Sequence, residues 1–326
     1  MFPHLRLRRN RRFNWLRDLV AETTLKVDDL IYPLFVIEGE NIKQEITTLP
    51  GIYRYSIDKL LEEVKLANEL GIKAVALFPV ISHSLKDEKA SEAYNLDNLI
   101  CRAIRAIKNL DLAIGIICDV ALDPYTLSGH DGIWYEDDVD NDKTIFALCN
   151  QALTLAKAGA DIIAPSDMMD GRIQAIREYL DKDNFTNLGI LSYSAKYASN
   201  LYGPFREAVG SKSLLKSDKR TYQMDYRNIK EALREIETDI AEGADMVMIK
   251  PGMLYLDIIR AASTSFEVPI FAYQVSGEYA MIKYAAQHNC FNWHQMIIES
   301  LLCMKRAGAT CILTYAALEA AKLLKE

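Results

Sequence analysis

The sequence predicts an α/β chain folded as a (β/α)8 TIM barrel, with an extended N-terminal arm and an insertion over the barrel mouth. Three observations predict it. Eight short apolar runs alternate with longer segments of helical periodicity. A helix–glycine–strand join recurs in ELGIKAVALF, KAGADIIAPS, AEGADMVMIK and RAGATCILTY. The chain has 326 residues, half of them hydrophobic, which exceeds the roughly 250 of a bare barrel by enough for an arm and one insertion.

The strand candidates are Leu30–Val36, Ala74–Val80, Ala113–Val120, Asp161–Pro165, Gly189–Tyr193, Asp245–Ile249, Pro269–Val275 and Thr310–Tyr315. Each is a nearly continuous apolar stretch, as strands buried on both faces of a parallel sheet require. The segments between them read as helices. Ser56 stands where an N-cap is expected, and Leu60, Leu61, Val64, Ala67 and Leu70 follow at helical spacing. Gly71 then supplies the left-handed residue that ends the helix. The other three joins repeat this grammar, the trace of successive βα units. A doubly wound open sheet is the alternative. It would need GxGxxG after the first strand, and FVIEGEN does not provide it.

Residues 1–28 read as an arm for subunit contacts and residues 29–326 as the barrel, with a lid at about 197–227. No linker rich in Pro, Gly or Ser divides the chain. Arg6, Arg8, Arg9, Arg11, Arg12 and Arg17 precede the first acid, Asp18, and Trp15, Leu16 and Leu19 give the arm something to pack with. A transit peptide is the other reading of so basic a start.

Composition bounds the function. The formal net charge of −7 argues against a nucleic-acid partner. No apolar run approaches the ~20 residues that span a bilayer, so no membrane role is expected. Cys101, Cys118, Cys149, Cys290, Cys303 and Cys311 form no CxxC pair. Most read as small core residues in a reducing compartment, and the cytoplasm is expected.

In such barrels chemistry sits at the carboxyl ends of the strands. Those ends supply Asp119, Ser166-Asp167, Lys196, Lys250, Gln274-Val275-Ser276 and Tyr315. Lys250 follows four apolar residues in MVMIKP. Burial disfavours its ammonium, and the neutral amine that results attacks carbonyls. Lys196 at the neighbouring mouth adds like-charge repulsion. The alternative is a pair of structural lysines that snorkel or pair with Asp119 or Asp167. The insertion carries Tyr197, Tyr202, Phe205, Arg206, Lys212, Lys216, Lys219, Arg220 and Tyr222. Lys212 and Lys216 read as solvated. Arg206 and Lys219 are placed to clamp a substrate carboxylate beneath a lid. Asp119, Asp123 and Asp131 cluster after the third strand, where carboxylates suit a hard cation such as Mg²⁺; an ordinary acidic turn is the alternative. His130 and His83 are each too isolated to assign. A class I aldolase-type barrel would need only one such lysine, and a non-catalytic scaffold would need neither.

The motifs RLRRNRR, DVALDPYT…GHDG, APSDMMDGRI, SYSAKYASNLYGPFREA, TYQMD, MVMIKPGMLYLD, YQVSGEY and LTYAA resemble, in order and over the whole chain, the 5-aminolevulinate dehydratase (porphobilinogen synthase) family. The resemblance implies condensation of two 5-aminolevulinate molecules with loss of two waters, in tetrapyrrole synthesis. It implies that Lys250 forms a Schiff base with the P-site substrate and that Lys196 holds the A-site substrate, with Asp119 moving protons. Ser276 and Tyr315 are implied at the P-site carboxylate; Arg206, Lys219 and Gln223 at the A-site carboxylate; Ser166, Tyr202, Phe205 and Tyr273 elsewhere around the substrates. Arm-exchanging dimers, usually built into octamers, are implied as well. Where zinc-dependent members carry three cysteines, this chain has Ala121, Asp123 and Asp131. It therefore resembles the magnesium-associated branch, in which Glu235 matches the holder of an allosteric Mg²⁺. Two further departures are Leu127-Ser128, in place of a Ser/Thr-His pair, and Lys219, where many members have Arg.

Overall fold

The structure, a computed structural model, describes residues 1–210, 215 and 217–325. Lys212 and Lys216 lie outside the described residues. All eight expected strands form: β1 Leu30–Ile37, β2 Ala74–Val80, β3 Gly115–Val120, β4 Ile162–Pro165, β5 Gly189–Lys196, β6 Met246–Lys250, β7 Ile270–Gln274 and β8 Cys311–Thr314. Neighbours pair in parallel in chain order, and β1 pairs with β8 through Leu30↔Ile312 and Ile31↔Leu313, which closes the barrel. The unbroken apolar runs follow from this closure, because each strand is covered inside by the others and outside by helices.

The helices are α1 Asn14–Leu19 in the arm, α2 Ile57–Glu69, α3 Leu99–Lys108, α4 Asn141–Ala158, α5 Arg172–Lys182, α6 Gly203–Ala208 in the lid, α7 Lys230–Ala241, α8 Leu256–Ser265, α9 Ser276–Gln287, α10 Trp293–Ala307 and α11 Ala317–Leu323. The join glycines Gly71, Gly159, Gly243 and Gly308 all take positive φ, as the left-handed turn from helix into strand requires.

Three expectations need correction. The fifth strand runs three residues past Tyr193, so Lys196 is its last residue rather than part of the following loop. Lys250 ends β6, as expected. Ser56 occupies the N-cap position of α2, but its hydroxyl binds Ile42 and Asp58 instead of the helix N–H groups. A short antiparallel hairpin, Lys43–Glu45 with Tyr53–Tyr55, extends the sheet beside β1, where no strand was expected.

The arm leaves Phe2, Leu5, Leu7, Trp15 and Leu19 exposed. Among the described residues, no helix is long and apolar enough to cross a membrane.

Candidate active site

β5 and β6 set the site. Their register places Lys196 opposite Lys250, two amines side by side at one barrel mouth. Their surroundings differ. Lys250 Nζ lies 5.0 Å from the centre of the Tyr193 ring, 5.3 Å from Tyr202, 5.1 Å from Phe205 and 4.7 Å from Tyr273. No carboxylate among the described residues forms an ion pair with it. Burial pushes its pKa from 10.5 down to about 7, and the neighbouring Lys196 charge pushes the same way.

Lys196 is held by polar partners. Its Nζ donates to the Ser166 carbonyl and lies 3.3 Å from Asp131 Oδ1. The alternative pairing with Asp119 or Asp167 does not occur. Asp167 faces the buried Arg172 instead. Asp119 lines the same cavity. Burial raises its carboxyl to about 6, against the pull of Lys196 and Lys250. A proton shared near neutral pH is what a transfer group needs.

The lid covers this mouth. Tyr202, Phe205, Arg206, Lys219 and Gln223 line one narrow cavity together with Asp119, Asp123, Asp131, Ser166, Lys196 and Lys250. The unexpected hairpin steadies the lid. Arg54 Nε donates to the Ala208 carbonyl at 2.7 Å and another Arg54 nitrogen to the Glu207 carbonyl at 2.7 Å, satisfying the exposed end of α6.

Lys219 does not wait free for a substrate. Its Nζ lies 2.8 Å from Asp131 Oδ2 and 3.8 Å from Asp123 Oδ2, all three groups being buried. Burial raises the Asp123 carboxyl, with Lys219 opposing, so its charge leans on that ammonium. Burial would also raise Asp131, but Lys196 and Lys219 together hold it well below the usual carboxylate range. A cation at Asp123 and Asp131 would have to displace Lys219. The described residues contain no cluster of three or more metal-binding side chains.

The groups expected at the P-site carboxylate are present and engaged. Ser276 Oγ accepts from Phe205 N at 3.0 Å and donates to the Leu201 carbonyl at 3.2 Å, so it ties the lid to α9. The Tyr315 and Tyr273 hydroxyls are 2.9 Å apart.

Sequence reading missed three contributors. Tyr193 is a wall of the Lys250 cage. His130 Nδ1 meets Tyr222 Oη at 2.9 Å and its ring packs on Trp134, joining the loop after β3 to the lid. Glu278 is fully buried and accepts from Val275, Gly252, Met253 and Leu254 N–H groups, which fixes the turn following Lys250. The N–H partners of Glu278 lie 3 to 26 residues away along the chain, so no local pattern announces it.

Glu235 lies apart, on α7, lining a second cavity with Asp138, Asp170 and Glu231. It is half-buried, and burial raises its carboxyl.

Compared with known families, residues 4–323 match the profile of "Delta-aminolevulinic acid dehydratase". A delta-aminolevulinic acid dehydratase of Bradyrhizobium diazoefficiens is 53% identical over 98% of this chain and 91% of the relative. The Rhodobacter capsulatus protein of that name is 47% identical over 99% of this chain and 97% of its own. A crystal structure of the Toxoplasma gondii delta-aminolevulinic acid dehydratase (porphobilinogen synthase), in complex with the product porphobilinogen, superposes with a TM-score of 0.96. It is 48% identical and covers 98% of this chain and 91% of that one.

Proposed function

The chain belongs to the delta-aminolevulinic acid dehydratase family, and on that premise we propose how its residues divide the reaction. The enzyme is a lyase that condenses two molecules of 5-aminolevulinate into porphobilinogen with loss of two waters, a step of tetrapyrrole synthesis.

Lys250 takes the P-site substrate. Its amine, caged by aromatic rings and held near pKa 7, adds to the ketone carbon, and loss of water leaves a Schiff base. Lys196 takes the A-site substrate in the same way. The two Schiff bases release the two waters of the overall reaction. Both lysines are returned when the carbon–carbon and carbon–nitrogen bonds form. Asp119 moves protons between the two centres. Arg206, Lys219 and Gln223 bind the A-site carboxylate, with Ser166 beside that substrate. Ser276 and Tyr315 bind the P-site carboxylate, while Tyr202, Phe205 and Tyr273 wall the P site. One observation carries this division: two lysines in register at one mouth, one in an apolar cage and the other ion-paired.

Mg²⁺ is assigned to Glu235 as an activating ion. The residues fit it. The Glu235 carboxylate accepts no hydrogen bond among the described residues, Asp170 and Glu231 line the same cavity, and Mg²⁺ takes one or two carboxylates with water completing its shell. When bound, the ion supplies positive charge that relieves this acidic cluster. No zinc–thiolate site is proposed, since Ala121, Asp123 and Asp131 offer no sulfur. The basic, apolar arm suits arm-exchanging dimers within a homo-octamer, and the cytoplasm is the compartment we assign.

The test is pyrrole formation by the purified protein and by its K250M and K196M variants. Each variant is expected to lose activity by about a thousandfold or more. Either one turning over at a rate near that of the parent protein would refute the division of labour.

A further inference from the structure

Lys86 is buried, and its Nζ has no hydrogen-bond partner among the described residues. An ammonium left in that state costs folding free energy unless something recovers it. Its location suggests what does. Lys86 sits on the loop after β2, and that loop is sewn to the loop after β3. Asp87 N donates to the Tyr125 carbonyl at 3.2 Å, Leu127 N donates to the Asp87 carbonyl at 3.3 Å, and Asp87 bridges Thr126. Asp123 lies two residues before Tyr125, and its carboxylate is the charge that attracts Lys86. The two do not touch in this state. Lys219 reaches Asp123 from the lid instead, at 3.8 Å.

Binding a substrate carboxylate changes these demands. Lys219 can serve a substrate only by loosening its hold on Asp123 and Asp131. Asp131 keeps Lys196 at 3.3 Å. Asp123 has no other ion-pair partner among the described residues, and a buried carboxylate stripped of its counter-ion pulls that ion back.

We propose that Lys86 is a positioning residue for the A-site half of the active site: it becomes the counter-ion of Asp123 when Lys219 turns to a substrate carboxylate. The proposal rests on Lys219 binding that carboxylate. Lys86 touches no substrate. It lowers the cost of releasing Lys219, so the affinity of the second substrate depends on it while Schiff-base chemistry at Lys250 does not.

The test is a double-mutant cycle read as KM and kcat for 5-aminolevulinate, with borohydride trapping on Lys250 as the check of an intact site. K86M is expected to raise KM about tenfold, with kcat falling less than about threefold and trapping at saturating substrate unchanged. K86R, which keeps the charge, is expected to recover most of the loss. In a D123N background there is no carboxylate to neutralise, so adding K86M is expected to change KM less than about twofold. A role in packing alone would give the same K86M effect in both backgrounds, and that result overturns the proposal. If K86M does not fold, the K86M/D123N pair, which buries no unpaired charge, decides against D123N alone. An equal KM supports the proposal and a tenfold rise overturns it. K219M separates the two layers. A raised KM upholds Lys219 as a carboxylate binder whatever Lys86 does, and an unchanged KM overturns that reading and the handover with it.

Discussion

Replacing Lys196 by Met should make Lys250 a poorer nucleophile at neutral pH, although Met carries no chemistry of its own. The Lys250 amine is pushed from 10.5 to about 7, first by burial and second by the Lys196 charge in register beside it. At pH 7 an amine of pKa 7 is about half neutral, whereas one of pKa 10.5 is neutral in only about one molecule in three thousand. K196M leaves the aromatic cage and its desolvation in place and removes the like charge. The Lys250 pKa should therefore rise, but not return to 10.5. A rise of about one unit cuts the neutral fraction at pH 7 from about one half to about one tenth, a loss of about fivefold in trapping rate. The assay is borohydride trapping of a single 5-aminolevulinate on Lys250 between pH 5.5 and 10, which does not require condensation. The midpoint of the rate against pH should lie near 7 in the parent protein and distinctly higher in K196M. A midpoint that stays put, or falls, would refute the claim that Lys196 helps to hold Lys250 neutral.

The same shift predicts stability. A lysine whose pKa is depressed on folding costs the fold most where both states are protonated, below about pH 7, and the cost disappears as pH rises toward 10.5. K250M should therefore melt higher than the parent at pH 6, with the gap narrowing toward pH 10, as calorimetry across that range would show. Arg172 is flanked by Asp239 at 3.2 Å and Asp167 at 3.6 Å, all buried. R172M strands both carboxylates, and urea denaturation should report a loss of about 3–5 kcal/mol. Removal of metal with EDTA should alter activity, Mg²⁺ should restore it and micromolar zinc should not, while E235Q should abolish the Mg²⁺ response. Activity restored by zinc would defeat the metal assignment.

The barrel was legible in the sequence because each buried strand writes a continuous apolar run and four of the helix-to-strand joins write a glycine at positive φ. Lys250 and Lys196 were legible for a related reason: a charge at the end of an apolar run has few explanations. What stayed hidden depends on residues that meet only in space. The hairpin Lys43–Glu45 with Tyr53–Tyr55 is too short and too exposed to carry a pattern, yet it anchors the lid helix. His130 looked isolated because its partner Tyr222 is 92 residues away. Nothing in the sequence singles out Lys86, since burial of a loop charge leaves no mark on local periodicity. Asp123 and Asp131 read from spacing as a cation site, and the structure supplies the cation from the protein itself, as Lys219. The roles of Ser276 and Tyr315 rested on resemblance. The structure adds that the Ser276 hydroxyl holds the lid backbone through Phe205 N and the Leu201 carbonyl.

The central claim is that two in-register lysines each bond covalently to one substrate, and reductive trapping followed by peptide mapping tests it most directly. With 5-aminolevulinate and borohydride, the adduct should appear first on the peptide containing Lys250. At saturating substrate, a second adduct should appear on the peptide containing Lys196. An unmodified Lys250 peptide recovered under turnover conditions, or an adduct confined to any other lysine, would contradict it.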